Sequence, residues 1–340
     1  MVPGNITSRF ARNHSVPVFF IVSFCLILAF SKLPKHGSRF LVYKSEFYST
    51  TIDSLKHLKE INEKLIGPAE YGLGCPTKCG CPQTRVDCPR HYNISDIEDS
   101  ARFEVSPQLY SFLEKMLNDR HSASRKLCLG LNDSVSGTGG WCLQPGKLWS
   151  IVTPEGYVIP GPTRHVKASQ QVLLALKRLI LTENITSLYD FGAGVGQYGC
   201  ELLKFFPKLD YQAFDGAGNV QEYTNGFVRF LDLTIPFNLP IKEWVVSLEV
   251  GEHVPSRFEG VVIRNLHRHN CKGIVLSWAI LGQGGHNHIN NHGNDYIEAI
   301  FRDLKYFRDF RSERMFRKAS DNYDWFTRTS MVFRRHKSSC

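Results

Sequence analysis

The chain has 340 residues, of which 42% are apolar and 12% aromatic; that content can fill a core and excludes global disorder. The net charge is +9, from 41 Lys and Arg against 32 Asp and Glu, but no basic run is dense enough to expect a nucleic-acid partner. Ten cysteines are many for a cytosolic enzyme of this size and point to an oxidising compartment or a metal knuckle.

Residues 1–15 are expected as a short cytosolic tail. Val16 to Phe30 reads VPVFFIVSFCLILAF, with no charge, after Arg9 and Arg12 and before Lys32, Lys35 and Arg39. It is shorter than the usual span of about 20 residues, and it also suits the apolar part of a signal peptide. No small-x-small cleavage site follows, so the expectation is an uncleaved signal anchor over 16–31. The protein is then a type II single-pass membrane protein facing the Golgi or ER lumen, with a secreted form as the alternative. The basic residues flanking the run do not support that orientation by themselves. Residues 32–70 read as a stem, with Ile52, Leu55, Leu58, Ile61 and Leu65 at helical spacing.

Residues 71–150 form a cysteine-rich region. Cys75-x3-Cys79-x-Cys81-x6-Cys88 lacks the paired C-x2-C spacing of a zinc site, so two local disulfides of unassigned pairing are expected. Cys128 and Cys142 flank a Gly- and Ser-rich loop that a third bridge would close. Cys200 and Cys271 read as buried free thiols. Sequons at Asn5, Asn13, Asn93, Asn132 and Asn184 fit a glycosylated lumenal protein, with Asn5 and Asn13 expected to face the cytosol and stay bare in the anchored orientation.

From about residue 165 the pattern becomes regular, and the domain is expected over 151–335, followed by a tail at 336–340. Helices are predicted over 168–181, 196–206, 254–269 and 295–306. Strands are predicted over 185–191, 211–214, 227–231, 244–248 and 273–279. Two late strands, 310–317 and 325–333, lie too close together for a helix between them. Alternating strand and helix imply an α/β, Rossmann-like, doubly wound and mostly parallel sheet, with an antiparallel C-terminal edge hairpin.

Ligands of such sheets bind at the carboxyl ends of the strands. Those ends carry Asp190 with Gly192, Gly194 and Gly196, then Asp215-Gly216, Asp232-Leu233, and Glu249-x-x-Glu252-His253. Last comes Gly282-Gln283-Gly284-Gly285-His286-Asn287-His288, with His292 beyond it. One acid after a strand is usually a turn or capping residue; four in succession around a glycine turn argue for a nucleotide site. Gly194-x-Gly196-x-x-Gly199 with Asp215 also fits a dinucleotide fingerprint, and hence an NAD(P)-dependent oxidoreductase. No Tyr-x3-Lys pair accompanies it in the domain.

The segments YDFGAGVGQYG (189–199), FDGAG (214–218), FLDLT (230–234) and WVVSLEVGEHVP (244–255) resemble the class I S-adenosylmethionine-dependent methyltransferases. LSWAILGQGGHNHIN (276–290) resembles methyltransferase-like sequences of unknown substrate. The resemblance covers about 165–335. It implies S-adenosyl-L-methionine as cofactor, its methionine part at Asp190 and the glycine turn and its ribose on Asp215. It further implies the adenine beside Asp232 and Leu233, and Glu249 facing the methyl donor. His253 is then the candidate base, with Glu252, His286 and His288 beside the acceptor. The expected acceptor is a hydroxyl of a glycan or small molecule, and no metal is assigned. Glu249, Glu252 and His253 with one later histidine also resemble the divalent-metal set of small-RNA 2′-O-methyltransferases, a minor alternative. A catalytically silent binding domain of the same fold is the third class.

Overall fold

The computed structural model describes residues 107–130, 135–318, 323–338 and 340. The expected anchor, the stem, the cysteines at 75–88 and the sequons at 5, 13, 93 and 132 lie outside the described residues. Among the described residues no helix is long and apolar enough to cross a membrane.

Helix α1 (Pro107–Gly130) is followed by an antiparallel hairpin, β1 (Pro145–Val152) and β2 (Val158–Pro162). The main sheet then builds from β3 (Ser187–Phe191), β4 (Asp210–Asp215), β5 (Val228–Phe230), β6 (Lys242–Leu248), β7 (Asn270–Ser277), β8 (Tyr306–Arg308) and β9 (Ser330–Arg335). Its order is β5-β4-β3-β6-β7-β9-β8. The first five strands in that order are parallel, and β9 runs antiparallel between β7 and β8. This is the expected Rossmann-like, doubly wound sheet with an antiparallel pair at one edge.

Each helix lies where its apolar stripe requires. Helix α2 (Gln170–Glu183) starts at Ser169, whose hydroxyl accepts from the Val172 amide, and stops at Asn184 in a left-handed conformation. It buries Val172, Leu173, Leu176 and Leu179 on one face of the sheet, with Trp244, Val246 and Val275. On the other face α5 (Glu259–Arg268) and α6 (Asn294–Asp303) bury Val261, Val262, Leu266, Ile297 and Phe301 against Tyr189, Val245 and Ile274. Strands covered on both faces read as near-continuous apolar runs, which is why β6 and β7 are plain in the sequence. The hairpin closes the β4–β5 edge by packing Ile159 and Trp149 with Ala213, Val228 and Val220 of the short helix α4 (Val220–Tyr223).

Two local expectations change. Residues 310–317 are not a strand: Phe310–Phe316 is helix α7, capped by Asp309, whose side chain accepts from the Arg311 and Ser312 amides. The edge strand is instead the three-residue β8, and β9 follows a short helix, α8 (Phe326–Thr329). Cys271 is not a free thiol but is bonded to Cys340. Cys200 is buried and has no disulfide partner among the described residues, and Cys128 is bonded to Cys142 as the loop between them suggested.

Candidate active site

The glycine turn after β3 is zipped onto β4: the Gly192 and Ala193 amides both donate to the Phe214 carbonyl, at 2.8 and 2.9 Å. Gly192, Gly194 and Gly196 all have positive φ, at 82°, 58° and 78°, a region costly to residues with a Cβ. At Gly192 there is also no room for one, since a Cβ would lie 2.2 Å from a Val250 methyl. Gly196 precedes helix α3 (Gln197–Phe205) and packs on the Phe227 ring.

Asp215, at the end of β4, is fixed by this turn. Its Oδ2 accepts from the Gly194 amide at 2.9 Å and its Oδ1 from the Ala217 amide at 2.8 Å. Burial raises its carboxyl above the usual range, while amide hydrogen bonds from Ala217, Gly194 and Gly216 oppose that. Each oxygen keeps a further lone pair for a ligand hydroxyl. Asp232 directs Oδ1 to the Thr234 amide and hydroxyl, at 2.9 and 2.6 Å, and Oδ2 lies 3.5 Å from Arg120 Nε of α1.

A cavity of about 230 Å³ opens over these groups, lined by Gly192, Gly194, Asp215, Gly216, Asp232, Leu233, Glu249 and His253 among others. Most of the residues expected at the cofactor therefore share one cavity. Asp190 and Gly196 are not on its wall. Asp190 is buried beneath the turn, accepts from the Tyr211 hydroxyl at 2.7 Å, and is pushed up to about 7, chiefly by burial.

A second cavity of about 540 Å³ shares Trp141, Arg164, Val166, Gln197, Leu248, Glu249 and His253 with the first. Its remaining wall includes Gln283, His286, His288, Asp324, Trp325 and Arg328. Glu249 stands between the two with φ of 55°, strained for a side chain that is not glycine. Its carboxylate accepts from Gln283 at 3.1 Å and from the Thr329 hydroxyl at 2.9 Å.

The four candidate catalytic residues separate into two settings. His286 stacks on Trp141, with ring centroids 4.4 Å apart. Glu252, His253 and His288 converge, with one ligand atom of each within 4.8 Å of the others. Burial, and next the neighbouring His288, lowers the His253 imidazole to about 4, so it is neutral at pH 7. The Nδ1 atoms of His253 and His288 lie 3.4 and 3.3 Å from the carbonyls of Asn287 and Gln283. That contact leaves Nε2 of each as the atom free to accept. Glu252 is fully buried, and among the described residues neither carboxylate oxygen makes a well-formed hydrogen bond, the amides of Ala279 and of Glu252 itself favouring its charged form only in part. Burial and then the Glu249 charge raise its carboxyl well above the usual range. His292 stands apart from this group, paired with Glu259 at 2.6 Å and stacked on Tyr296.

Several wall residues were not legible in the sequence. Thr138, Gly139, Gly140 and Trp141 lie in the loop joined to α1 through Cys128–Cys142, and Arg164 and His165 just precede α2. The loop sits hard on the strand ends: a Cβ at Gly139 would lie 2.5 Å from the His253 carbonyl oxygen, and one at Gly140 2.0 Å from that of Gly216. The only sequence signal was Gly139-Gly140-Trp141-Cys142 itself, a tight turn beside a pairing cysteine.

No protein-family profile matches this chain, and no curated protein sequence matches it. Solved structures do. The magnesium protoporphyrin IX methyltransferase of Synechocystis PCC 6803, with bound SAH, is 16% identical over 49% of this chain and 83% of that one, at a TM-score of 0.36. The methyltransferase domain of bacterial CtHen1 is 15% identical over 49% and 97%, at 0.38. The sugar N-methyltransferase KedS8 from Streptoalloteichus sp. is 12% identical over 49% and 88%, at 0.39.

Proposed function

We propose that the chain is an S-adenosylmethionine-dependent methyltransferase acting on a hydroxyl of a glycan or small molecule. The observation that carries this is the single cavity joining the glycine turn, the turn-anchored Asp215, Asp232 and Glu249, with a second cavity sharing its wall. When bound, the cofactor supplies an already activated methyl group. The protein's part is to hold donor and acceptor in line and to take up a proton. Asp215 offers two anchored oxygens to vicinal ribose hydroxyls, and Leu233 an apolar face to the base. Neutral His253, on the wall common to both cavities, is placed to accept the acceptor's proton. Trp325 gives the larger cavity an aromatic surface of the kind that packs against sugar rings, with the polar groups of Gln283 and His288 on the same wall, while Trp141 already carries the His286 ring.

Calorimetry with S-adenosylhomocysteine and with NAD tests the reading. Binding of the first supports it. Binding of NAD alone gives the oxidoreductase, and binding of neither gives the silent binding domain.

A second reading is favoured by Glu252. A carboxylate and two imidazole nitrogens are a donor set suited to a divalent transition metal, and a buried carboxylate with no well-formed hydrogen bond among the described residues is costly unless something compensates it. Glu252, His253 and His288 would hold the ion; bound there, it would lower the pKa of an acceptor hydroxyl. This is the metal-assisted alternative. If it holds, Mn²⁺ raises the melting temperature of the wild type and not of Glu252→Ala, because a ligand of the folded state alone stabilises it. An equal shift in both, or none in either, removes the metal.

The lumenal address is part of the same proposal. The bridges Cys128–Cys142 and Cys271–Cys340 support it, since such bonds persist in oxidising compartments. Asn184, exposed at the end of α2, is the sequon whose glycan would report it. Protein from secretory cells should shift on N-glycosidase treatment, by one glycan less in Asn184→Gln. Equal shifts in both would count against modification there.

A further inference from the structure

Granting the methyltransferase reading, on which this rests, we propose that His165 and Gln197 receive the amino-carboxylate end of the cofactor. Both line the 230 Å³ cavity. His165 Nε2 and Gln197 Oε1 are buried there without a hydrogen-bond partner among the described residues. Buried polar atoms are almost always paired, so two unpaired ones on a cavity wall mark the place of a ligand's polar groups.

The two side chains meet at the glycine turn. A Cβ at Gly194 would lie 3.3 Å from Gln197 Oε1 and 3.5 Å from His165 Nδ1. The missing side chain at 194 leaves that space to a ligand. Gln197 is also the first residue of α3, whose free amides and dipole favour a carboxylate.

An α-amino acid end is a zwitterion and needs donors and acceptors side by side. The Gln197 amide has both, and so does a neutral imidazole. Asp190, the acid that precedes the glycines, is off the wall, and its Oδ2 is already engaged by Tyr211. The sequence motif therefore supplies the turn, while two residues around it supply the polar contacts.

The test compares two ligands by calorimetry on the wild type and three variants. S-adenosylhomocysteine carries the amino-carboxylate; 5′-methylthioadenosine keeps the nucleoside and sulfur and lacks it. Gln197→Ala and His165→Phe (which keeps a ring beside Trp141) should each weaken the first ligand by roughly tenfold or more, as loss of a hydrogen bond to a charged group does. Both should leave 5′-methylthioadenosine within about twofold, which also reports an intact fold. Asp190→Asn should leave the ratio of the two affinities unchanged. Equal weakening of both ligands overturns the assignment, as does a ratio that moves with Asp190→Asn and not with the other two. A wild type that binds neither ligand overturns the methyltransferase reading and this assignment together. A wild type that binds both, with unchanged variants, overturns the assignment alone.

Discussion

Asp215→Ala should abolish measurable binding of S-adenosylhomocysteine. The side chain has two functions that fail together. On the proposed reading it offers the ligand a carboxylate for two hydroxyls, and each charge-assisted bond would contribute about 1.5–3 kcal/mol. Towards the protein it ties the Gly194 amide to the end of β4 and closes the turn at Ala217. The ligand side alone predicts a loss of roughly 10²-fold or more in affinity, at about 1.4 kcal/mol per tenfold. Asp215→Asn separates little, because its amide nitrogen must face one of two backbone donors. Titration calorimetry measures the effect. An Asp215→Ala protein that binds within about tenfold of wild type would mean that the ribose lies elsewhere.

Gly192→Ala should strongly destabilise the domain. A residue with a Cβ held at φ of 82° costs about 1–2 kcal/mol. The added methyl must also displace Val250, one of whose methyls would lie 2.2 Å away, and overpacking costs about 1–3 kcal/mol more. For a domain of this size roughly 3 kcal/mol corresponds to a drop of about 6–12 °C in melting temperature. The two causes can be separated. Val250→Ala removes the methyls that clash and leaves the backbone cost, so the double variant should recover part of the loss relative to Val250→Ala alone. If the two changes are additive, the contact with Val250 is not the cause. Val250 follows the strained Glu249, so the same push should reach the wall shared by the two cavities.

The legible parts of this chain were those in which local pattern and global position agree. Strands β3, β6 and β7 are buried on both faces and show as apolar runs. The acids Asp215, Asp232 and Glu249 stand at strand ends, where the topology gathers them onto one cavity. The segment 310–317 was misread because Phe310 and Met315 suit a strand as well as a helix. The decisive signal was Asp309, which caps the helix through the amides of Arg311 and Ser312. Cys271 reads as a free thiol in the sequence because its partner lies 69 residues away at Cys340, a distance no local spacing encodes. His165 and Gln197 carry no pattern, since each matters only through what the fold brings to Gly194.

The loop around Trp141 separates two boundaries that are easily taken as one. The methyltransferase-like sequence starts near residue 165, but the folded object does not. A wall of the 230 Å³ cavity comes from residues 138–141, and α1 contributes Arg120 beside Asp232 and a stack of His121 on Phe230. A fragment trimmed to the recognisable part would keep every glycine and acid of the motif and still lack one side of its binding site. Where a chain can be cut is set by what closes its cavities, and here that lies upstream of anything the motif announces.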